Sequence, residues 1–359
     1  MRLLYVEDED GFALQIKKVL ESSGQISVDT DIFNLDVHVH KGGGFPIENQ
    51  IAKIINQREV SGGEYDAALV DTDLSGLKNG ISQSAFRTAC SMIGLPVLRY
   101  SRAVPTTSDR MKYLTTISRE GSQALQVPTS VLTDDITNWV TGILLGFRQI
   151  RGEIEKRRKN GSGTSPSEIV ASMLKDPEID LDLLGYSGAN FFFFGELIDS
   201  AEGDIKQPRG RNYATQLGYW LANYVLMFPG PILNEGAAAA YLGITKNDMK
   251  NAKVRELLAG ALYTGPFATT SMTGSYYIRR RVDHLMLESD VEYFADLCAK
   301  HHITIDAVGK GKLWYYCIVN DEPILEVDAV GPFDWMPRGA DICRIKKSTY
   351  EKLAPWLGM

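Results

Sequence analysis

Acidic residues follow two short apolar runs in the first part of the chain. Glu7 and Asp8 come directly after residues 3–6, and Asp71 comes directly after residues 67–70. Hard divalent cations such as Mg²⁺ prefer oxygen ligands, which carboxylates at neighbouring strand ends supply. Because three carboxylates in one pocket repel one another, such a pocket favours a bound cation. Glu7, Asp8 and Asp71 are therefore predicted to form a site for a hard divalent cation.

The elements that must position these acids alternate along residues 1–150. Short apolar runs predict strands, and apolar residues at helical spacing predict the helices between them. The predicted strands are residues 3–6, 26–32, 67–70, 96–100 and 124–127, and the predicted helices are residues 11–20, 47–55, 81–93, 111–117 and 136–154. This alternation predicts an α/β fold with a doubly wound, five-stranded parallel sheet, which binds ligands at the carboxyl ends of its strands.

The same region resembles the receiver domain of response regulators, which has a flavodoxin-like fold. Three segments carry the resemblance: YVEDED at residues 5–10, YDAALVDTDLSG at residues 65–76 and LPVLRYS at residues 95–101. The resemblance implies that Asp71 is the phosphoacceptor and that Ser101 hydrogen-bonds the phosphoryl group. It also implies that Glu7 and Asp8 help to bind Mg²⁺ and that a histidine kinase is the phosphodonor partner.

One position departs from the receiver pattern. Receivers end their fifth strand with Lys-Pro, whereas this chain has Val127 followed by Pro128. In that family the lysine pairs with the phosphoryl oxygens, and Arg102, next to Ser101, is a candidate substitute. Phosphorylation of Asp71 is therefore one expectation. A degenerate receiver that serves as a dimerisation platform is the other.

A change of composition follows this region. Residues 151–166 begin basic and continue rich in Gly and Ser, which indicates a linker. Residues 167–232 are expected to be mainly helical, with the run FFFF at residues 191–194 in the core. The sequence NEGAAAAYLGIT at residues 234–245 predicts a helix that begins after an Asn N-cap and ends at Gly243. A helix over residues 246–259 and a strand over residues 275–281 are expected next.

Residues 233–288 are similar to the excisionase-type, MerR-like winged helix-turn-helix family, on AAAYLGI at residues 238–244 and YYIRR at residues 276–280. The resemblance implies DNA binding, and the seven basic and two acidic residues from position 246 to position 281 support it. We expect major-groove contacts from Lys246, Asn247, Lys250 and Asn251, and phosphate or minor-groove contacts from Arg279 and Arg281 on one strand face. The alternative is a helical domain with a solvated basic face.

Cysteine and histidine are the remaining candidate ligands. Residues 289–359 predict a small α+β region, in which zinc binding and ordinary burial are the alternatives for Cys298, His301, Cys317 and Cys343. His38 and His40, in a Gly-rich segment, present the same choice between a metal site and a loop.

The composition limits the function classes. A net charge of -7 argues against a protein that coats nucleic acid indiscriminately. Four cysteines are too few for a disulfide scaffold, and neither a signal peptide nor a membrane span is predicted, so a soluble cytoplasmic protein is expected. No catalytic motif in residues 160–359 indicates an enzymatic effector.

The predicted architecture is a receiver-like domain at residues 1–150, the linker, a mainly α region that contains the winged helix, and a small α+β tail. The expected function is that of a response regulator, or a pseudo-receiver signalling protein, with a DNA-binding output and a homodimeric assembly. The alternative is a degenerate receiver scaffold that mediates protein–protein interaction without binding DNA.

Overall fold

The computed structural model describes residues 1–30, 46–76, 81–130, 132, 135–195, 197, 207–270, 274–306 and 314–353. The chain forms two compact units that are interleaved along the sequence. Unit 1 comprises Met1–Val104, Ser122–Ile169 and Phe193–Trp220, and unit 2 comprises Pro105–Gly121, Val170–Phe192 and Leu221–Met359. Among the described residues, no helix combines the length and the apolarity needed to cross a bilayer.

The strands form three sheets. In chain order they are β1 (Arg2–Val6), β2 (Ser27–Asp29), β3 (Ala67–Asp71), β4 (Val97–Tyr100), β5 (Leu125–Gln126), β6 (Ile232–Leu233), β7 (Tyr277–Ile278), β8 (Trp314–Cys317), β9 (Glu322–Leu325), β10 (Ala329–Val330) and β11 (Cys343–Lys346). The first five form the sheet of unit 1, and the others form sheets of two and four strands in unit 2.

The α-helices vary widely in length. In chain order they are α1 (Asp10–Glu21), α2 (Ile47–Gly62), α3 (Gln83–Ile93), α4 (Thr107–Glu120), α5 (Ile136–Lys159), α6 (Pro166–Leu174), α7 (Ile179–Leu183), α8 (Asn190–Phe193), α9 (Pro208–Trp220), α10 (Glu235–Leu242), α11 (Ala252–Leu257), α12 (Arg279–Glu288), α13 (Phe294–Lys300) and α14 (Lys347–Leu353). A π-helical segment, Leu221–Val225, follows α9 directly.

The sheet of unit 1 has the order β2-β1-β3-β4-β5, and all of its strands are parallel. This confirms the predicted five-stranded α/β fold. Every residue of β3 is buried because helices cover such a sheet on both faces, so an apolar run suits this position. In the register of the sheet, Val6 lies opposite Val70 and Asp71 lies opposite Tyr100, which brings three strand ends to one edge.

Helix α9 belongs to unit 1, although it lies some eighty residues beyond the last strand of the sheet. The Val97 N–H of β4 donates to the buried Tyr219 hydroxyl at 2.7 Å, and the Thr215 hydroxyl donates to the Gly94 carbonyl at 2.8 Å. Arg211 donates to both carboxylate oxygens of Glu59, at 2.9 and 2.8 Å. These bonds fasten the helix to the sheet and its flanking helices.

Unit 2 contains α4, the helix that connects β4 and β5 along the chain. A capping box between Thr106 and Asp109 begins this helix. The Arg110 guanidinium donates to the Ile318 carbonyl from two nitrogens, at 3.1 and 3.0 Å, and so ties α4 to the strand region of unit 2.

The expected helix-turn-helix region is confirmed only at its first helix. Helix α10 begins after Asn234, whose side chain accepts from the Ala237 N–H, and ends at Gly243, whose φ of 66° is left-handed. The expected helix over residues 246–259 is wrong: the Asn251 side chain accepts from the Lys253 N–H and interrupts it. A 3₁₀ turn at Asp248–Lys250 and the short helix α11 replace it.

The expected strand over residues 275–281 is also wrong. Strand β7 contains only Tyr277 and Ile278, because its partner β6 is two residues long. The Arg279 N–H donates to the Pro231 carbonyl at 2.9 Å, and helix α12 begins at this residue. Arg279 and Arg281 therefore lie on a helix and do not share a strand face.

Candidate functional site

The predicted acidic residues meet at the carboxyl edge of the parallel sheet. Glu7 and Asp8 follow β1, and Asp71 is the last residue of β3. One carboxylate oxygen from each residue lies within 4.8 Å of the others. Glu7 and Asp71 are buried, with 0% and 4% exposure, whereas Asp8 is partly exposed. The pocket therefore opens to solvent on the side of Asp8.

Backbone amides hold all three carboxylates in place. Glu7 Oε1 accepts from the Glu9 N–H at 3.1 Å. Asp8 Oδ2 accepts from the Gly76 N–H at 2.6 Å, and Asp71 Oδ1 accepts from the Asp73 N–H at 3.1 Å. A Cβ at position 76 would lie 2.7 Å from Asp8 Oδ2, so the absence of a side chain at Gly76 permits this approach. The Ser101 hydroxyl oxygen accepts from the Ala103 N–H at 3.2 Å, where the chain turns after β4.

Arg102 brings a positive charge to the same pocket. Its Nη2 lies 3.3 Å from Glu7 Oε1 and 3.6 Å from Asp71 Oδ2, and its Nη1 lies 2.6 Å from Glu9 Oε2. The guanidinium carbon is also 4.5 Å from the centre of the Phe12 ring, a cation–π contact. Val127 is fully buried. The structure thus places a guanidinium, from the end of another strand, beside Asp71.

Two tyrosines support Glu7 from inside the sheet. The Tyr100 hydroxyl donates to Glu7 Oε2, and the Tyr5 and Tyr100 hydroxyls lie 2.9 Å apart. Burial raises the pKa of the Glu7 carboxyl and the Asp71 charge raises it further, whereas the bond from Tyr100 and the Arg102 charge act in the opposite direction. Because burial dominates, Glu7 is ionised only at the cost of desolvation, and a nearby cation lowers that cost.

The donor set fits a hard divalent cation. All three candidate ligands are carboxylates, and Asp8 lies on the open side, where an ion would retain water molecules as Mg²⁺ does. Sequence patterns did not single out Glu9, Phe12 and Tyr100. Glu9 belongs to the acidic run and Tyr100 directly precedes Ser101. This proximity to predicted site residues was the only feature of the sequence that could have pointed to them.

The side chains expected to contact DNA do not form one free basic face. Ion pairs within unit 2 engage Lys246 with Asp321 (3.0 Å), Arg279 with Asp341 (2.8 Å), Arg280 with Asp182 (3.1 Å) and Arg281 with Asp176 (3.5 Å). Asn251 caps α11, whereas Asn247 and Lys250 are exposed. Acids from outside residues 246–281 therefore balance much of the positive charge counted in the sequence.

The candidate zinc ligands are not brought together. All four cysteines are buried free thiols. Cys317 Sγ lies 3.1 Å from Asn320 Oδ1, and Cys343 Sγ lies 3.4 Å from the Pro229 carbonyl oxygen. Within the described ranges, Glu7, Asp8 and Asp71 are the one group of three acidic, histidine or cysteine side chains at metal-binding distances. His38 and His40 lie outside the described residues.

No protein-family model, no curated protein and no solved structure matches this chain at a significant level. A functional conclusion therefore depends on the geometry of the acidic pocket and on its chemistry. The pocket combines two buried carboxylates, one partly exposed carboxylate and a guanidinium at the edge where α/β sheets bind ligands.

Proposed function

We propose that unit 1 is a receiver-like regulatory module that binds a divalent cation, Mg²⁺ by its chemistry, and accepts a phosphoryl group on Asp71. The observation that carries the proposal is the pocket itself: the oxygens of Glu7, Asp8 and Asp71 lie within 4.8 Å of one another, with Arg102 Nη2 at 3.6 Å from Asp71. An isolated ion pair would need neither three converging carboxylates nor their position at the carboxyl edge of a parallel sheet.

The proposed reaction is transfer of a phosphoryl group to a carboxylate oxygen of Asp71. That oxygen forms a bond to phosphorus as the bond between phosphorus and the donor breaks, and the donor leaves with the electron pair. Mg²⁺ held by Glu7, Asp8 and Asp71 would offset the negative charge of the incoming group. Arg102, already beside Asp71, supplies a second positive charge from the protein. A histidine kinase is the proposed donor.

A second candidate function is that of a pseudo-receiver scaffold, which mediates protein–protein interaction without phosphoryl transfer. One observation favours it: the guanidinium of Arg102 contacts Glu7, Glu9 and Asp71 and so neutralises part of the acidic charge without any ligand. A pocket that is balanced by its own side chain can be stable as a purely structural element.

For the output of the chain we propose DNA binding by unit 2, in a homodimer. Support comes from Asn247 and Lys250, which remain exposed near the N-terminus of α11, after the capped first helix α10. Binding to duplex DNA should weaken as salt concentration rises, with a slope that reports the number of phosphate contacts. A log–log slope near zero would exclude this output.

The test of the phosphoacceptor is incubation with acetyl phosphate and Mg²⁺, followed by mass spectrometry of the intact protein. We expect one added phosphoryl group that hydroxylamine removes, no addition in Asp71→Asn, and wild-type behaviour in Asp73→Asn. Asp73 is a matched control, because it lies two residues further along but is exposed and outside the carboxylate group. No addition to the wild type would favour the scaffold function, whereas equal addition to the wild type and Asp71→Asn would show that Asp71 is not the acceptor.

A further inference from the structure

Arg102 and a divalent cation would use the same carboxylates. Two of the acids that contact the guanidinium, Glu7 and Asp71, also belong to the group with metal-binding distances. The third acid, Glu9, contacts Arg102 but is not part of that group. A cation at the acidic site and a guanidinium on the same oxygens repel each other strongly in a buried pocket.

We propose that Arg102 is a built-in counter-ion, which a divalent cation must displace from Glu7 and Asp71 in order to bind. This inference rests on the metal site of the proposed function. When the ion displaces Arg102, a divalent charge replaces the guanidinium charge. The buried carboxylates of Glu7 and Asp71 therefore have a positive partner in both states. Arg102 therefore sets the affinity of the site and also its selectivity, because a monovalent ion offers no gain in charge over the guanidinium it replaces.

The surroundings of Arg102 allow this movement. Its side chain is 46% exposed, whereas those of Glu7 and Asp71 are 0% and 5% exposed, so the guanidinium can withdraw towards solvent. The shortest of its three ion pairs is the one with Glu9, at 2.6 Å, and Glu9 itself is 60% exposed. Glu9 and the ring of Phe12 already contact the guanidinium and lie outside the metal-binding group, so these two contacts can be kept when Arg102 leaves Glu7 and Asp71.

The test is calorimetric titration of the full-length protein with Mn²⁺ alone. Arg102→Gln should bind Mn²⁺ about five- to tenfold more tightly than the wild type, because the guanidinium no longer competes with the ion for Glu7 and Asp71. Arg102→Lys should bind with intermediate affinity, since a lysine keeps the charge but cannot bridge three acids in the same geometry. Glu9→Gln, which removes only the outer partner, should weaken binding.

A matched control is Arg99→Gln. Arg99 lies on β4, three residues before Arg102, and its Nε–H donates to Gln126 Oε1 at 2.8 Å. The affinity of this variant should equal that of the wild type. Displacement itself is visible as a shift of the Arg102 side-chain Nε–H resonance on addition of Mg²⁺. Unchanged or weaker Mn²⁺ binding by Arg102→Gln, alongside clear binding by the wild type, would overturn the counter-ion proposal and leave the metal site intact. If the wild type, Arg102→Gln and Arg102→Lys all fail to bind Mn²⁺, the metal site of the proposed function is wrong as well.

Discussion

Arg211→Met tests whether helix α9 is a structural part of the unit that carries the acidic pocket. The Arg211 guanidinium is almost completely buried and forms a two-point ion pair with Glu59, whose side chain is only 9% exposed. It also donates to the Tyr65 carbonyl at 3.0 Å. Methionine retains most of the side-chain volume but removes every one of these donors.

The cost follows from what the substitution leaves behind. Glu59 would remain as a buried carboxylate without its counter-charge, and breaking a buried pair in this way costs about 3–5 kcal/mol of unfolding free energy. Glu59 Oε1 still accepts from the Tyr65 N–H at 2.9 Å, so we expect the lower end of that range. For domains of about 150–250 residues, each kcal/mol lowers Tm by about 2–4 °C, which predicts a decrease of about 6–12 °C.

Urea unfolding and thermal scans of three variants provide the measurement. Arg148→Met is the matched control, because Arg148 also forms a two-point pair, with Asp66 at 2.6 and 2.8 Å, but its side chain is half exposed. Asp66 is buried, but water can replace the half-exposed Arg148 guanidinium, and the Arg2 N–H still donates to Asp66 at 2.8 Å. The loss for Arg148→Met should therefore be smaller than that for Arg211→Met. The double variant Arg211→Met/Glu59→Gln should recover most of the lost stability. Equal losses for Arg211→Met and Arg148→Met would refute the reasoning.

Two further predictions concern groups whose burial alters their protonation. The raised pKa of Glu7 means that the folded state holds a proton that the unfolded state has released, so stability falls as pH rises from about the ordinary value of 4.5 through the folded value. The Tm of Glu7→Gln minus the Tm of the wild type should therefore increase as pH rises across this window. A difference that decreases with pH would contradict the prediction. Burial raises the pKa of Cys298 to about 11, and all four cysteines are buried, so a thiol reagent should label the native protein slowly and all four thiols in urea. Rapid labelling without urea would show that this burial is wrong.

The sheet and its acidic edge could be predicted because their signal is local. An apolar run that ends in acids marks both a buried strand and its carboxyl end, and in a parallel sheet all such ends meet at one edge. Residues 3–8 and 67–71 were therefore enough to bring Glu7, Asp8 and Asp71 together. The helix α10 was predictable for a similar reason, since its cap residues adjoin it in the sequence.

Contacts between distant segments carried no such signal. Arg102 was a candidate through its neighbour Ser101, but its pairing with Glu9 joins residues 93 positions apart. The expected core position of the FFFF run was half wrong: Phe191 is 81% and Phe192 43% exposed, whereas Phe193 and Phe194 are buried. Successive side chains of a helix point about 100° apart, so four in a row cannot all face one core.

The expected DNA-contacting arginines show a second limit. The alternation over residues 275–281 is typical of a strand, but a strand persists only as far as its partner does, and β6 ends after two residues. Charge counts have the same weakness, because the acids that pair with Arg279, Arg280 and Arg281 come from residues 176–182 and from residue 341. A local excess of basic residues therefore does not establish a basic surface.

The interleaving of the two units has a consequence for synthesis on the ribosome. Unit 1 receives its last helix, α9, only when the chain has been made as far as Trp220, long after its strands have emerged. The residues of α4 were translated about a hundred residues earlier, but Ile318, whose carbonyl accepts from Arg110 of α4, has not yet been translated. Neither unit can complete its fold before part of the other unit has been translated. During translation both units are therefore incomplete, and α4 precedes its bonding partner Ile318 by about two hundred residues.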